Sequence, residues 1–273
     1  MSFPGYRRYT YMTQLLQNKN AIIYGAGGGI GRGVATTFAR EGARLFLVGR
    51  TRAALEATAH EVAEAGGEAD VATFDVFDEA AVAAHIGDVV ARVGRVDVSF
   101  NLITRGDVQG QPFLDISVAD LTRPMMNGLR ANAITARAAA RHMVGQGSGV
   151  ILHLTSGSSA GLAPMMGGTG PADAATETYM RYLASEVGPS GVRVVGLWTA
   201  GVVETLTRAK MADVAGVGVP DPEVVIQMIA NAAMLRRAPR LDDVADTAAF
   251  LASDRAAGIT ATIVNVTCGL VAR

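Results

Sequence analysis

Tyr24-Gly25-Ala26-Gly27-Gly28-Gly29-Ile30-Gly31 is the stretch that decides the fold. It follows the short apolar run 21–24 and leads into residues 30–40, whose apolar side chains recur at helical spacing. Gly25 lets a strand turn sharply. Gly29 lets a phosphate approach the main chain, and Gly31 lets the helix pack closely on the strand. From Ile30 onward, the amide groups and positive dipole end of the helix suit a pyrophosphate. A glycine-rich turn alone is a weak signal; in the first strand–helix unit of a parallel sheet it points to nucleotide binding.

Outward from this turn, strands and helices alternate. Residues 45–48 read as a strand, 52–65 as a helix stopped by Gly66-Gly67, and 71–74 as a strand. A helix over 80–92 and a strand over 96–100 follow. A long helix is predicted over 127–144, a strand over 149–154, a helix over 173–187 and a strand over 192–197. The last helix is predicted at 241–252 and the last strand at 260–266. This order implies right-handed crossovers. The predicted fold is α/β: one Rossmann-type, doubly wound parallel sheet of about seven strands with helices on both faces. Residues 1–18 read as an irregular leader and residues 19–273 as the dinucleotide-binding domain with its substrate loops.

Composition narrows the function. The chain has 273 residues, 49% apolar and 18% charged, so disorder is excluded. With 24 basic and 25 acidic residues it has no net field for nucleic acid or an anionic membrane. Cys268 is the only cysteine, and the four histidines lack ligand spacing, so no metal site is expected. The uncharged stretch 143–172 is broken by Gly, Ser and Pro and is no membrane span. The expectation is a soluble cytoplasmic protein acting on a small molecule.

The second strand ends at Val48-Gly49-Arg50, where an acid would accept from a ribose 2′-hydroxyl. Arg50 instead offers forked donors for a 2′-phosphate, which favours NADP(H) over NAD(H), unless Arg50 is simply solvated. Arg32 is placed to assist. Asp75-Val76, after the third strand, is placed to meet an adenine edge, with a helix N-cap as the competing role for Asp75.

The chain here resembles the short-chain dehydrogenase/reductase family over roughly residues 18–270. Gly25, Gly29 and Gly31 match its TGxxxGxG, with Tyr24 in place of Thr. Asn101-Leu102-Ile103-Thr104 stands where the family has NNAG, keeping only Asn101. Asn127 falls at the family's helix Asn, and Ser156 looks like its active-site Ser. Ala200-Gly201 with Thr205 resembles the PG…T segment beside the nicotinamide. The resemblance implies a nicotinamide-dependent oxidoreductase and assembly as a homodimer or homotetramer. The interfaces it implies use the helices near 127–144 and 173–187 and the last strand.

The departure lies in the Tyr-x-x-x-Lys pair. Thirteen residues after Ser156 stands Thr169, and four further stands Asp173. The only lysines are Lys19 and Lys210, and neither follows a Tyr by four. The family's Tyr donates the proton, and its Lys lowers the Tyr pKa. A Thr hydroxyl is far too weak an acid for that role. Asp173 can still accept from ribose hydroxyls. The candidate catalytic set is therefore Ser156, Asn127, Thr169 and Asp173. Three mechanisms stay open: another acid (Asp173, Tyr179, His153 or water), an acceptor needing no acid, such as an iminium or activated alkene, or no redox step at all. The last corresponds to a non-catalytic nucleotide-binding sensor or structural subunit. The substrate side is expected in loops 104–113, 157–168 and 205–229, the last as a lid, with Arg105 and Asp107 placed to touch a polar substrate group unless they are simply solvated at the surface.

Overall fold

The computed structural model describes residues 14–161, 163–215 and 220–272. Most of the expected leader lies outside these residues. Leu16 is fully buried in the core, so the described body begins before residue 19.

Seven parallel strands form one sheet: β1 (Asn20–Tyr24), β2 (Arg44–Gly49), β3 (Glu68–Thr73), β4 (Val98–Asn101), β5 (Gly149–Ser156), β6 (Val192–Thr199) and β7 (Thr262–Asn265). Their spatial order is β3-β2-β1-β4-β5-β6-β7. The order reverses between β1 and β4, and the crevice outside the carboxyl ends of these two strands is where such sheets take ligands.

Among the described residues, α1 (Gly29–Arg40), α2 (Arg52–Glu64), α3 (Glu79–Val93), α4 (Val118–Gln146), α5 (Thr169–Val187) and α8 (Leu241–Ala252) cover the two faces, and α6 (Arg208–Ala215) and α7 (Pro222–Ala232), without buried residues, lie between β6 and α8. Alternation along each strand feeds two cores. Ile23, Leu45, Leu47 and Phe100 pack with Val34 and Phe38 of α1 and Ala248 of α8. On the other face, Ile22, Tyr24, Phe46 and Val48 pack with Ile86 of α3, Met143 of α4 and Met180 of α5.

Most elements fall within a few residues of their predicted places; α4 and the segment after β6 differ. α4 starts nine residues before the expected Asn127 and runs through Pro124. Its start is set by Ser117, whose Oγ accepts from the Asp120 amide at 3.0 Å. Pro124 costs a main-chain bond but buries its ring against α5, where a Cβ on Gly168 would lie 2.7 Å from Pro124 Cγ. Between β6 and α8, two helices, α6 and α7, stand where a loop was expected.

Candidate active site

The glycine turn sits at the switch point. Gly25 has φ +79°, and a Cβ there would lie 2.7 Å from the Leu102 main chain at the exit of β4. A Cβ on Gly31 would lie 2.3 Å from Gly25 O, so both positions need glycine for close approach. Gly28 caps α1 without any side-chain bond, which leaves the amides of Gly29, Ile30 and Gly31 facing outward from the helix start. A Cβ on Gly29 would lie 2.9 Å from Thr205 Cγ2, so the segment after β6 closes against the turn. Gly201 packs against Ile229 and Leu206 of the same segment.

A cleft of about 210 Å³ opens beside the turn, lined by Gly25, Gly28, Arg50, Asp75, Val76 and Ile103, among others. Arg50 is exposed at its rim and makes no ion pair among the described residues. Arg32 does not join it, because its guanidinium pairs with Glu61 at 3.3 Å. Asp75 does not cap α3; that role belongs to Asp78, and Asp75 Oδ1 instead accepts from the Phe77 amide at 3.0 Å. Val76 is buried. Asn101 is fixed by two bonds: Nδ2 donates to Thr135 Oγ1 at 3.2 Å and Oδ1 accepts from the Ile103 amide at 3.1 Å. A glycine turn with uncapped amides, beside a cleft with a cation at its rim, fits a nicotinamide dinucleotide.

Beyond the ends of β4 and β5 lies a polar network. Ser156, at the end of β5, donates from Oγ to Asp173 Oδ2 at 2.5 Å, and its amide donates to the same oxygen at 3.1 Å. Asp173 Oδ1 accepts from Arg105 Nη1 at 2.5 Å. Arg105 Nε lies 3.1 Å from both oxygens of Asp107. Asp107 Oδ1 also accepts from Thr169 Oγ1 at 3.0 Å, and Thr169 Oγ1 accepts from Gln109 Nε2 at 3.0 Å. Asn127 donates from Nδ2 to the Arg105 carbonyl at 3.1 Å and so holds the chain that carries the guanidinium.

Asp173 has no solvent-exposed surface. Burial pushes its carboxyl above the usual range, opposed by Arg105 and by the two bonds from Ser156. For Arg105, burial works against the charge, but Asp173 and Asp107 outweigh it and the guanidinium is held more firmly charged. Arg105 and Asp107 are thus internal members of the network, with side chains 15% and 19% exposed, and not the solvated surface charges expected from the sequence.

Two of the alternative acids are removed by their surroundings. His153 is buried on β5 with both ring nitrogens unpartnered, and burial drives its pKa down to about 3. The Tyr179 hydroxyl is buried without a partner, and burial raises its pKa. The buried Glu177, missed from the sequence, accepts on Oε1 from Thr155 at 3.1 Å, Ser159 at 2.9 Å and Trp198 Nε1 at 2.7 Å. Thr169, Asp173 and Glu177 recur every fourth residue on one face of α5. That spacing beside Ser156 was the available signal for Glu177.

The sequence model of the family described as "Enoyl-(Acyl carrier protein) reductase" matches residues 25–271. The chain is 31% identical over 264 residues to the short-chain reductase protein NovJ of Streptomyces niveus, covering 93% of this chain and 94% of that protein. Among solved structures, it is similar to 7α-hydroxysteroid dehydrogenase complexed with NADH and 7-oxo glycochenodeoxycholic acid. That match has a TM-score of 0.80 and 28% identity, covering 94% of this chain and 96% of that one. NAD+-bound xylitol dehydrogenase matches with a TM-score of 0.82 and 25% identity, covering 93% of this chain and 99% of that one. No helix among the described residues is long and apolar enough to cross a membrane.

Proposed function

This chain belongs to the short-chain dehydrogenase/reductase family and is an oxidoreductase of its type, and from that premise we propose an NADP(H)-dependent enzyme with a rebuilt active site. It reduces a C=N or activated C=C bond of a small organic substrate and is poor on plain ketones. Two of the similar solved structures hold NADH or NAD+, which supports a nicotinamide cofactor here. The preference for NADP(H) rests on Arg50 at the cleft rim, with no acid at that strand end.

When bound, the cofactor supplies a hydride at its nicotinamide carbon. Gly25, Gly29, Ile30 and Gly31 hold the pyrophosphate, Arg50 the 2′-phosphate, Asp75 and Val76 the adenine side, and Gly201 and Thr205 flank the nicotinamide. Asn101 fixes the exit of β4. Asn127 and Thr169 position Arg105 and Asp107, Ser156 faces the reacting group, and Asp173, fully buried with both oxygens bonded, holds Ser156 in place and does not reach the ribose hydroxyls expected for it.

The observation that carries this reading is the consumption of the local hydroxyl protons. Ser156 donates to Asp173 and Thr169 donates to Asp107, so neither hydroxyl supplies a proton to a ketone oxygen. The named activities of the similar proteins, dehydrogenases and reductases, weigh against a sensor or structural subunit. Assembly as a homodimer or homotetramer completes the proposal. The test is NADPH oxidation with matched ketone and iminium acceptors. Ketone reduction should trail by about 10²–10⁴-fold, the contribution of a general acid. Fast ketone turnover would show a proton donor outside this network. Firm NADPH binding with no turnover of any acceptor would return the non-catalytic reading.

A further inference from the structure

The direction of the Ser156 hydrogen bond is fixed by its neighbours. Asp173 meets Arg105 Nη1 on one oxygen and the Ser156 amide on the other, and both partners can only donate. Facing the Arg105 guanidinium at 2.5 Å, Asp173 is taken as the carboxylate, the form that meets all of these donors and leaves the proton between Ser156 Oγ and Asp173 Oδ2 on Ser156. The 2.5 Å separation is that of a hydroxyl donating to a carboxylate. Ser156 Oγ also accepts from the Ser158 amide at 3.3 Å. One lone pair of Ser156 Oγ is left, and it can only accept.

The charge beside it follows from the same assignment. Two carboxylates, Asp107 and Asp173, stand against one guanidinium, Arg105, which leaves one negative charge in excess. Arg123, whose Cδ lies beside Gly106, is paired with Asp120 and adds no charge to the cluster. A half-buried acceptor backed by excess negative charge complements a cationic hydrogen-bond donor.

We propose that the substrate carries a protonated nitrogen, an iminium N–H that donates to Ser156 Oγ while the Asp173–Arg105–Asp107 cluster balances its charge. This rests on the C=N reading above and narrows it. In the reaction, the iminium carbon accepts the hydride pair and the C=N π pair comes to rest on nitrogen as the amine lone pair. The cofactor is oxidised, the N–H bond persists, and no proton moves in that step. Ser156 is a catalytic residue in this scheme; Arg105 and Asp107 are positioning residues.

The test has a binding arm and a turnover arm. By calorimetry, pyrrolidinium is compared with N,N-dimethylpyrrolidinium, which keeps the charge but lacks N–H, and with cyclopentanol, a neutral donor. Pyrrolidinium should bind about 10-fold or more tightly than either, the scale of one charge-assisted bond. Ser156→Ala should erase the advantage over the quaternary cation and keep the advantage over the neutral alcohol. In turnover with NADPH, protonated 1-pyrroline should exceed N-methyl-1-pyrrolinium by a similar factor, and Ser156→Ala should level the two. Equal binding of the three probes, with both iminium ions reduced equally, would overturn this inference and leave the C=N reading standing. Pyrrolidinium selectivity without reduction of either iminium would support the recognition and overturn the reaction. Neither selectivity nor turnover would overturn both.

Discussion

Arg50 is one residue whose role can be isolated, because no other side chain among the described residues holds it in place. Its forked donors to a 2′-phosphate should favour NADPH over NADH by about 1–3 kcal/mol, the scale of charge-assisted bonds. Arg50→Ala should erase most of that preference in paired titrations, and equal affinities in the unaltered protein would refute the assignment. His153 gives the pH dependence. Its pKa falls from 6.5 in the unfolded chain to about 3 when folded, because burial disfavours the charged ring. A depressed value means its contribution is intact above pH 6.5 and is lost as pH falls through that window toward 3. The slope should reach about 1.4 kcal/mol per pH unit from this group. His153→Leu should flatten the urea midpoint between pH 6.5 and 4. Gly25 and Gly31 were legible because close main-chain approach demands glycine there, and the strand pattern put Ser156 at the carboxyl end of a strand. The sequence disguised Arg105, since a charged residue in a loop looks solvated until the fold sets a buried carboxylate 68 positions away against it.

At the level of elements, the alternation of strands and helices was legible because apolar periodicity survives without knowledge of contacts. The start of α4 was not, since Pro124 reads as a break until its ring is seen filling the contact with α5. Of the two helices after β6, α6 gave no signal because it has no buried residue and no periodic apolar face, whereas α7 did carry one, an Asp221 cap, Pro222 in its first turn and Val225, Met228 and Ile229 at helical spacing, that was read as loop. The link between the β4 exit and the first turn of α5 can be tested directly. Arg105→Ala strands the Asp173 carboxyl, buried without its cation, and Asp173→Lys sets a second cation against Arg105. Each should cost about 3–5 kcal/mol, as breaking buried pairs does. Together they should cost less than their sum by about 1–3 kcal/mol in a double-mutant cycle read by urea denaturation. Strict additivity would mean that the two side chains do not interact.

For the whole molecule, the outer face of α5 presents Ala174, Thr178 and Tyr182 at four-residue spacing, with Tyr182 71% exposed. A large aromatic ring this open on a face lined by small residues suits burial against a second copy. Sedimentation should show a dimer or tetramer, and Tyr182→Lys should shift it toward smaller species; a concentration-independent monomer would refute the assembly. The Arg105–Asp173 pair has a further consequence for descent with modification. A lysine at position 173 would arrive against a guanidinium held in place by Asp107 and by the Asn127 bond to the Arg105 carbonyl. Discarding Arg105 first would strand Asp173. The two residues are therefore expected to change only together: each single substitution at the pair should give a protein that folds less well than one carrying both partners.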